Sequence, residues 1–315
     1  MMLSIALTTF NGEKFIKDQL DSILHQSLSN WELIICDDNS TDQTFNILEK
    51  YQKRDSRIKL YKNRANIGFI KNFEQAISLC SGDYIALCDQ DDIWLPNHLE
   101  TLYQEIKEYD CACTNASLIN QNGESLNMTM RDFIPVHIIP KNKDSFFIHE
   151  LYGNIIQSAA CMFSRNLISD ILPFPQFITY HDWWIALIAC EKSGCKYIDK
   201  ITTQYRRHES NTTTIPKTGF FKSISFFWKN SVKLKESYRK HLEMLNHLEK
   251  TTSSKEQLHK LQEAEKFYNA LLFKEHRLWA ILHYIKNYNI IQLSYRRNIF
   301  RFMYRIFCLI MGVKW

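Results

Sequence analysis

Apolar positions in the first hundred residues follow two alternating rhythms. Leu3-Ser-Ile-Ala-Leu-Thr8 is a nearly continuous apolar run, the pattern of a strand buried on both faces. From Glu13 to Leu24 the apolar residues Phe15, Ile16, Leu20, Ile23 and Leu24 recur at helical spacing. Trp31 to Cys36 predicts a second strand, and Thr41 to Tyr51 a helix with Ser40 or Thr41 as its N-cap. Ile58 to Tyr61 reads as a short strand, Phe69 to Cys80 as a helix and Tyr84 to Cys88 as a fourth strand. Pro96 then opens another helix, since proline is tolerated in a first turn.

Strands separated by helices predict an α/β fold, a mostly parallel sheet with helices on both faces. Ligands of such sheets bind beyond the carboxyl ends of the strands. Asp37-Asp38 follows the second strand and Asp89-Gln-Asp-Asp92 follows the fourth. The two acidic clusters are therefore expected to share one crevice. Farther on, Asn122-Gly123 signals a tight turn, and Asn127 to Ser145 reads as an irregular loop over the site. Long, charged helical segments begin near Lys217. Thr251 to Ser254 interrupts them, with Ser253 and Glu256 spaced as a capping box. This divides the chain into a catalytic domain, 1–213, and a C-terminal helical region, 214–315.

The 45% hydrophobic and 23% charged composition, without repeats or low-complexity tracts, is that of a folded protein. Nine scattered cysteines without a CxxC pair argue for reduced thiols in a cytoplasm and against a zinc site. The chain opens directly into strand-like sequence with no basic segment or cleavage site, which points the same way. The net charge of +5 is unevenly placed. No Asp or Glu follows Glu275, whereas Arg277, Lys286, Arg296, Arg297, Arg301, Arg305 and Lys314 do. Such a tail implies an anionic partner. Ile299, Phe300, Met303, Ile306, Phe307 and Ile310 fall at helical spacing beside an arginine stripe, Arg297, Arg301 and Arg305. The longest apolar run here, Ile306 to Val313, is far short of the ~20 residues that span a bilayer. The expectation is a helix lying on an anionic membrane surface, at the inner face of the plasma membrane. A core-packing helix is the alternative. No nucleic-acid-binding motif accompanies the basic residues.

Acidic side chains crowded at strand ends are costly unless a cation or donor groups neutralise them. Asp89-x-Asp91 places two carboxylates on alternate positions within reach of one ligand. Hard oxygen ligands suit Mg2+ or Mn2+, commonly shared with substrate phosphates. No glycine-rich phosphate loop of the Walker type occurs in the chain. A metal ion is thus the expected carrier of diphosphate charge.

Four segments in order, Ser4-Ile-Ala-Leu-Thr-Thr-Phe-Asn-Gly12, Cys36-Asp-Asp-Asn-Ser-Thr-Asp42, Asn66-Ile-Gly68 and Leu87-Cys-Asp-Gln-Asp-Asp-Ile-Trp94, resemble the family 2 glycosyltransferases. The resemblance spans roughly residues 2–212 and implies the GT-A fold. The Asp-Gln-Asp-Asp-Ile-Trp version is most similar to rhamnosyltransferase-like members, which often use dTDP-L-rhamnose. By matching position, Thr8, Phe10 and Glu13 would line the nucleotide pocket, Asp38 would hydrogen-bond the pyrimidine base and Asp89 the ribose side. Asp91 would ligate the metal, with Asp92 as an auxiliary. Tyr205-Arg-Arg-His208 resembles the family's closing motif, whose histidine reaches the metal. Its Arg206 and Arg207 are candidate diphosphate clamps.

His181-Asp-Trp-Trp184 resembles the segment that supplies the catalytic base, with Asp182 in that role. Taken alone, Asp182 is better read as a helix cap before Trp183; the resemblance reverses that preference. Asn154 to Phe163 resembles the border of the acceptor site, where Gln157 and Ser158 are candidates. The indoles of Trp183 and Trp184 offer a stacking face for a sugar. The implied chemistry is one inverting displacement, with a carboxylate deprotonating the acceptor hydroxyl and a divalent ion, Mg2+ or Mn2+, stabilising the leaving diphosphate. Neither a Gln-x-x-Arg-Trp motif nor a set of membrane spans is present, so transfer of one sugar is expected. The acceptor would be a saccharide or lipid-linked hydroxyl in cell-surface polysaccharide synthesis. A UDP-hexose or UDP-N-acetylhexosamine donor, or an inactive nucleotide-sugar-binding module, are the competing readings.

Overall fold

A computed structural model describes residues 2–132, 143–209, 211, 231–273 and 275–287. The alternating start is as the pattern predicts: β1 (Leu3–Thr9), α1 (Ile16–Leu24), β2 (Trp31–Asp37), α2 (Thr44–Gln52), β3 (Ile58–Lys62), α3 (Phe69–Leu79) and β4 (Tyr84–Cys88). Strands β1 to β4 run parallel in the order β3-β2-β1-β4. Ile5 and Leu7 point to one face and Ala6 to the other, and all three are fully buried. That two-sided burial explains the unbroken apolar runs.

The second half of the sheet is assembled out of chain order. β5 (Ile93–Trp94) and α4 (His98–Ile106) lead to β6 (Cys111–Asn120) and β7 (Ser125–Thr129). After α5 (Lys143–Tyr152) come β8 (Cys161–Ser164), α6 (Ile168–Ile171), α7 (His181–Glu191) and β9 (Cys195–Arg207). β8 inserts antiparallel between β4 and β6, and β9 runs parallel to β6. β5 closes the edge against β9. The sheet is therefore mixed but mostly parallel.

Two cores lie on its two faces. Helices α1, α2 and α4 cover one through Leu20, Ile23, Leu48 and Leu99. Helices α3, α5 and α7 cover the other, and the C-terminal helices continue it: α8 (Ser231–Thr251), α9 (Lys255–Phe273) and α10 (Arg277–Lys286). His241 of α8 stacks on Trp183 at 4.6 Å and bonds the Leu151 carbonyl at 2.8 Å. The eight described cysteines are buried and free. No described helix is long and apolar enough to cross a membrane.

Local differences have local causes. Helix α2 starts at Thr44 because Ser40 is engaged with Asp37, while Asp42 Oδ1 accepts from Thr44 N at 2.9 Å. Ser254, not Ser253, caps α9, accepting from Gln257 N at 3.3 Å. The expected irregular stretch is strand up to Thr129 and helix from Lys143. The boundary between 213 and 214 and the basic segment 296–315 lie outside the described residues.

Candidate active site

The exit of β1 is flanked by the ends of its two neighbours, with Thr9 opposite Asp37 and Leu7 opposite Cys88. The two acidic clusters thus open on either side of one strand end, as expected. Asp37 is structural: it accepts from the Thr9 hydroxyl and from Ser40 N and Oγ. Asp38, 2% exposed, accepts from Asn63 Nδ2 at 2.9 Å, Ile67 N at 2.8 Å and Gly68 N at 2.9 Å. These bonds hold the loop before α3, where Gly68 adopts a positive φ of 83°. A carboxylate has about four acceptor positions, so a base could meet only the one left on Oδ2.

Thr8 is buried at the strand end, and Phe10 beyond it is 44% exposed. Gln90 grips the Phe10 backbone from the opposite side, accepting from its N–H at 2.8 Å and donating to its carbonyl at 3.0 Å. A Cβ at Gly12 would collide with that carboxamide, so a larger residue there would displace the Gln90 side chain from its grip on Phe10. Glu13 is exposed and accepts from Gln43 N at 2.9 Å, tying the β1 exit to α2.

The acidic centre lies past β4. His208 Nε2 and Asp91 Oδ2 converge at 2.7 Å. Asn211 supports the pair, accepting from His208 N at 2.6 Å, and the His208 ring stacks on Phe15 at 4.7 Å. Asp92 is buried; Oδ1 accepts from Arg206 N at 2.8 Å, and Oδ2 has no hydrogen-bond partner among the described residues. Its carboxyl is pushed well above the ordinary range by burial and then by Asp91 and Asp89. Asp89, partly open to the crevice, is pushed up to about 8 by desolvation, then by Asp91 and Asp182, against a bond from Ser158.

Asp182 starts α7 and is 8% exposed. Oδ1 accepts from Asn154 Nδ2 at 3.0 Å and Trp183 N at 2.7 Å; Oδ2 accepts from Ser158 N at 3.0 Å. Burial pushes the carboxyl up to about 6 although these donors pull it down. The Ser158 hydroxyl meets His181 Nε2 at 3.1 Å, and His181 stacks on Phe73 at 3.9 Å, where burial pulls its ring down to about 3. The loop carrying Asn154 and Ser158 is fixed in turn by Glu150, whose Oε1 accepts from Ile155 N at 3.1 Å. Asp89, Asp182 and Ser158 are therefore one group. Gln157 contributes less, since its Oε1 is buried without a partner among the described residues.

Three sequence expectations need correction. Arg206 is 2% exposed and turned inward: Nε donates to the Asp91 carbonyl at 2.8 Å, and Nη2 pairs with Asp18 at 2.7 Å. It braces the acidic loop from behind and does not face a diphosphate; Arg207, on the opposite side of the strand, remains partly exposed. Trp184 is 1% exposed and donates to the Ile171 carbonyl, and Trp183 donates to the Glu150 carbonyl. Helix α7 is apolar all round and buried, so neither indole offers a face to a sugar. Asn154 and Gln90 are the members that sequence reasoning did not single out. Each binds through an amide that carries no charge or metal-ligand pattern.

The model of the family described as "Glycosyl transferase family 2" matches residues 4–172. The chain belongs to this family. A dTDP-rhamnosyl transferase of Shigella flexneri, RfbG, is 29% identical over 215 residues, 65% of this chain and 72% of that protein. The Escherichia coli protein WfgD, named a UDP-Glc:alpha-D-GlcNAc-diphosphoundecaprenol beta-1,3-glucosyltransferase, is 42% identical over 100 residues, 31% of this chain and 38% of that one. Across several curated relatives the match spans only about a third to a half of their length. In fold, this family 2 chain is similar to S. aureus TarS in complex with UDP-GlcNAc, with a TM-score of 0.58, 17% identity and coverage of 99% and 92% of the two chains. It is also similar to the Pyrobaculum calidifontis mannosyltransferase PcManGT in complex with GDP-Man and Mn2+, with a TM-score of 0.55, 13% identity and coverage of 99% and 81%. These likenesses establish the GT-A fold.

Proposed function

We propose that this protein is an inverting, metal-dependent glycosyltransferase that moves one sugar from a nucleotide-sugar donor to a hydroxyl of a saccharide or lipid-linked acceptor in cell-surface polysaccharide synthesis. The observation that carries this reading is the pairing, in one crevice, of an Asp91–His208 couple at 2.7 Å with a buried Asp182 held by three donors. Retention of all three residues argues against an inactive binding module.

Asp182 is the base in this reading. Its Oδ1 is filled by Asn154 and Trp183, while Oδ2 takes only Ser158 N. The remaining Oδ2 position is where the acceptor hydroxyl would leave its proton. A carboxyl pushed up to about 6 is mostly ionised at pH 7 and yet more basic than an ordinary aspartate. Thr8, Phe10, Glu13, Asp38, Asp89 and Arg207 surround the donor side.

Asp91 and His208 fit a divalent ion: a carboxylate and an imidazole converge on one point, a donor set compatible with Mn2+ or Mg2+. Among the described residues no group of three or more His, Cys, Asp or Glu could hold a metal, so donor diphosphate and water would complete the shell. When bound, the ion supplies Lewis-acid stabilisation of the departing nucleoside diphosphate.

The long match to RfbG supports dTDP-L-rhamnose as donor, and the shorter, closer match to WfgD supports UDP-glucose as its competitor. The basic segment 296–315 supports a peripheral place on the inner, anionic membrane surface, from the cytoplasmic side. Purified protein offered a panel of nucleotide sugars with saccharide and lipid-linked acceptors should release one nucleoside diphosphate selectively. No acceptor-dependent release with any donor would overturn the proposal.

A further inference from the structure

Helix α10 has two apolar faces where the fold uses one. Ala280, His283 and Tyr284 are buried against the catalytic body, with His283 Nε2 and the Tyr152 hydroxyl sharing a hydrogen bond at 2.7 Å. On the opposite side, Leu278, Leu282 and Ile285 are 73%, 59% and 48% exposed, and Phe273 just before the helix is 55% exposed. These are the four most exposed large hydrophobic residues described, gathered within thirteen positions. At about 100° per residue, Leu278, Leu282 and Ile285 form one narrow stripe. Exposed apolar groups gathered in this way mark an interaction surface.

The charges around the stripe select its partner. Arg277 and Lys286 fall on opposite flanks, roughly 80–100° to either side of it by the same helical geometry. Glu275 is the last acidic residue of the chain, and the residues beyond carry only basic charge. An apolar ridge between cations matches an anionic lipid surface, where leucines enter the acyl boundary and basic groups stay with the headgroups. A second copy of this stripe would bring those cations together instead.

We infer that the outer face of α10, with Leu278, Leu282 and Ile285 as its ridge, is a docking surface for anionic lipid bilayers. This goes beyond the expectation placed on residues 296–315, because it assigns contact to a helix that is packed on the catalytic body. It also gives the contact a purpose under the proposed function, since α10 shares its core with α5, next to the loop that holds Asp182. Membrane contact here would keep the acceptor side of the crevice near a lipid-linked substrate.

The test uses the full-length chain and vesicles of phosphatidylglycerol and phosphatidylcholine, with pure phosphatidylcholine as control. Wild-type protein should sediment with the anionic vesicles and lose most of that binding at high salt. Leu278→Asp/Leu282→Asp should weaken vesicle partition at least roughly tenfold, since two leucines no longer enter the apolar layer. Leu282→Trp should strengthen it. Unchanged partition of the double variant, or equal wild-type binding to neutral vesicles, overturns the inference. So does a double variant that changes only the solution mass, which would make a second copy the occupant. Transfer to a soluble saccharide acceptor should survive in the double variant. Failure of the proposed function would appear there, in wild-type protein, and is distinguishable from failure on vesicles.

Discussion

Two buried carboxylates in this crevice are held by nearly identical donor sets, and the proposed function gives them different work. Asp38 takes an asparagine amide and two backbone N–H groups, from Asn63, Ile67 and Gly68. Asp182 takes the same three kinds of donor, from Asn154, Trp183 and Ser158. The Asp38 donors all come from one short loop, so the carboxylate fastens that loop to the sheet. The Asp182 donors come from its own helix and from a separate loop, and through Ser158 it adjoins Asp89 and the acidic centre. Donors anchor a carboxylate; what adjoins its free acceptor position decides whether it is a brace or a base.

The largest effect should come from breaking the base. Asp182→Asn removes the proton acceptor while keeping size and much of the hydrogen bonding. We expect kcat to fall roughly 10²–10⁴-fold, the usual worth of general base catalysis, with donor binding nearly unchanged. Transfer at close to the wild-type rate would make Asp182 a second brace and leave the base unassigned. Next should come the metal couple. Chelation with EDTA, or Asp91→Ala, is expected to lower transfer by about 10²-fold and to weaken binding of the nucleoside diphosphate. Donor binding measured by calorimetry provides the check. Full wild-type activity in EDTA would sink the assignment of Asp91 and His208.

The brace should fail more mildly and on a different observable. Asp38→Ala takes an acceptor from Ile67 N, Gly68 N and the Asn63 amide; Gly68 keeps Asn66 Oδ1 and Asn63 keeps Asn72 Oδ1, so the loss falls mainly on Ile67 N and on the tie between loop and sheet, about 1–3 kcal/mol in all. A clear fall in thermal midpoint should therefore accompany a raised donor KM, with kcat changing less. A raised KM with no loss of stability would instead mark Asp38 as a reader of the base.

Much of this was legible beforehand, and the limits have physical reasons. The parallel half of the sheet shows in the chain because strands buried on both faces demand unbroken apolar runs, as in Leu33 to Cys36. Asp91 stands out because carboxylates crowded at one strand end need a neutralising partner, whereas Asp182 stands out only through the resemblance of its segment, since an aspartate at a helix start is an ordinary cap. Residue type alone points both Arg206 and Arg207 at a diphosphate, but the period of two along a strand sends them to opposite faces. The indoles of Trp183 and Trp184 are covered because α7 is buried on every side, which a motif of four residues does not reveal. Asn154 carries no signal in the chain because a neutral amide has no charge pattern and meets Asp182 across a separation of 28 residues that only the fold closes.

The smallest effect is the one most particular to the comparison. Asn154 donates to the ionised form of Asp182, and its donation counts among the influences that lower the carboxyl from where burial would put it. Removing it favours the protonated form. Asp182 must be ionised to accept a proton, so kcat in the wild type should fall as pH drops through about 6. In Asn154→Ala that acidic limb should move to higher pH, giving a loss of roughly tenfold or less near pH 6 that narrows towards pH 8. Asn154→Asp should displace it further, because a second carboxylate beside the first opposes ionisation. A brace merely weakened in structure would instead lower kcat by the same factor at every pH. A parallel, undisplaced profile for Asn154→Ala, with Asp182→Asn still inactive, would leave Asp182 as the base and remove Asn154 from its control.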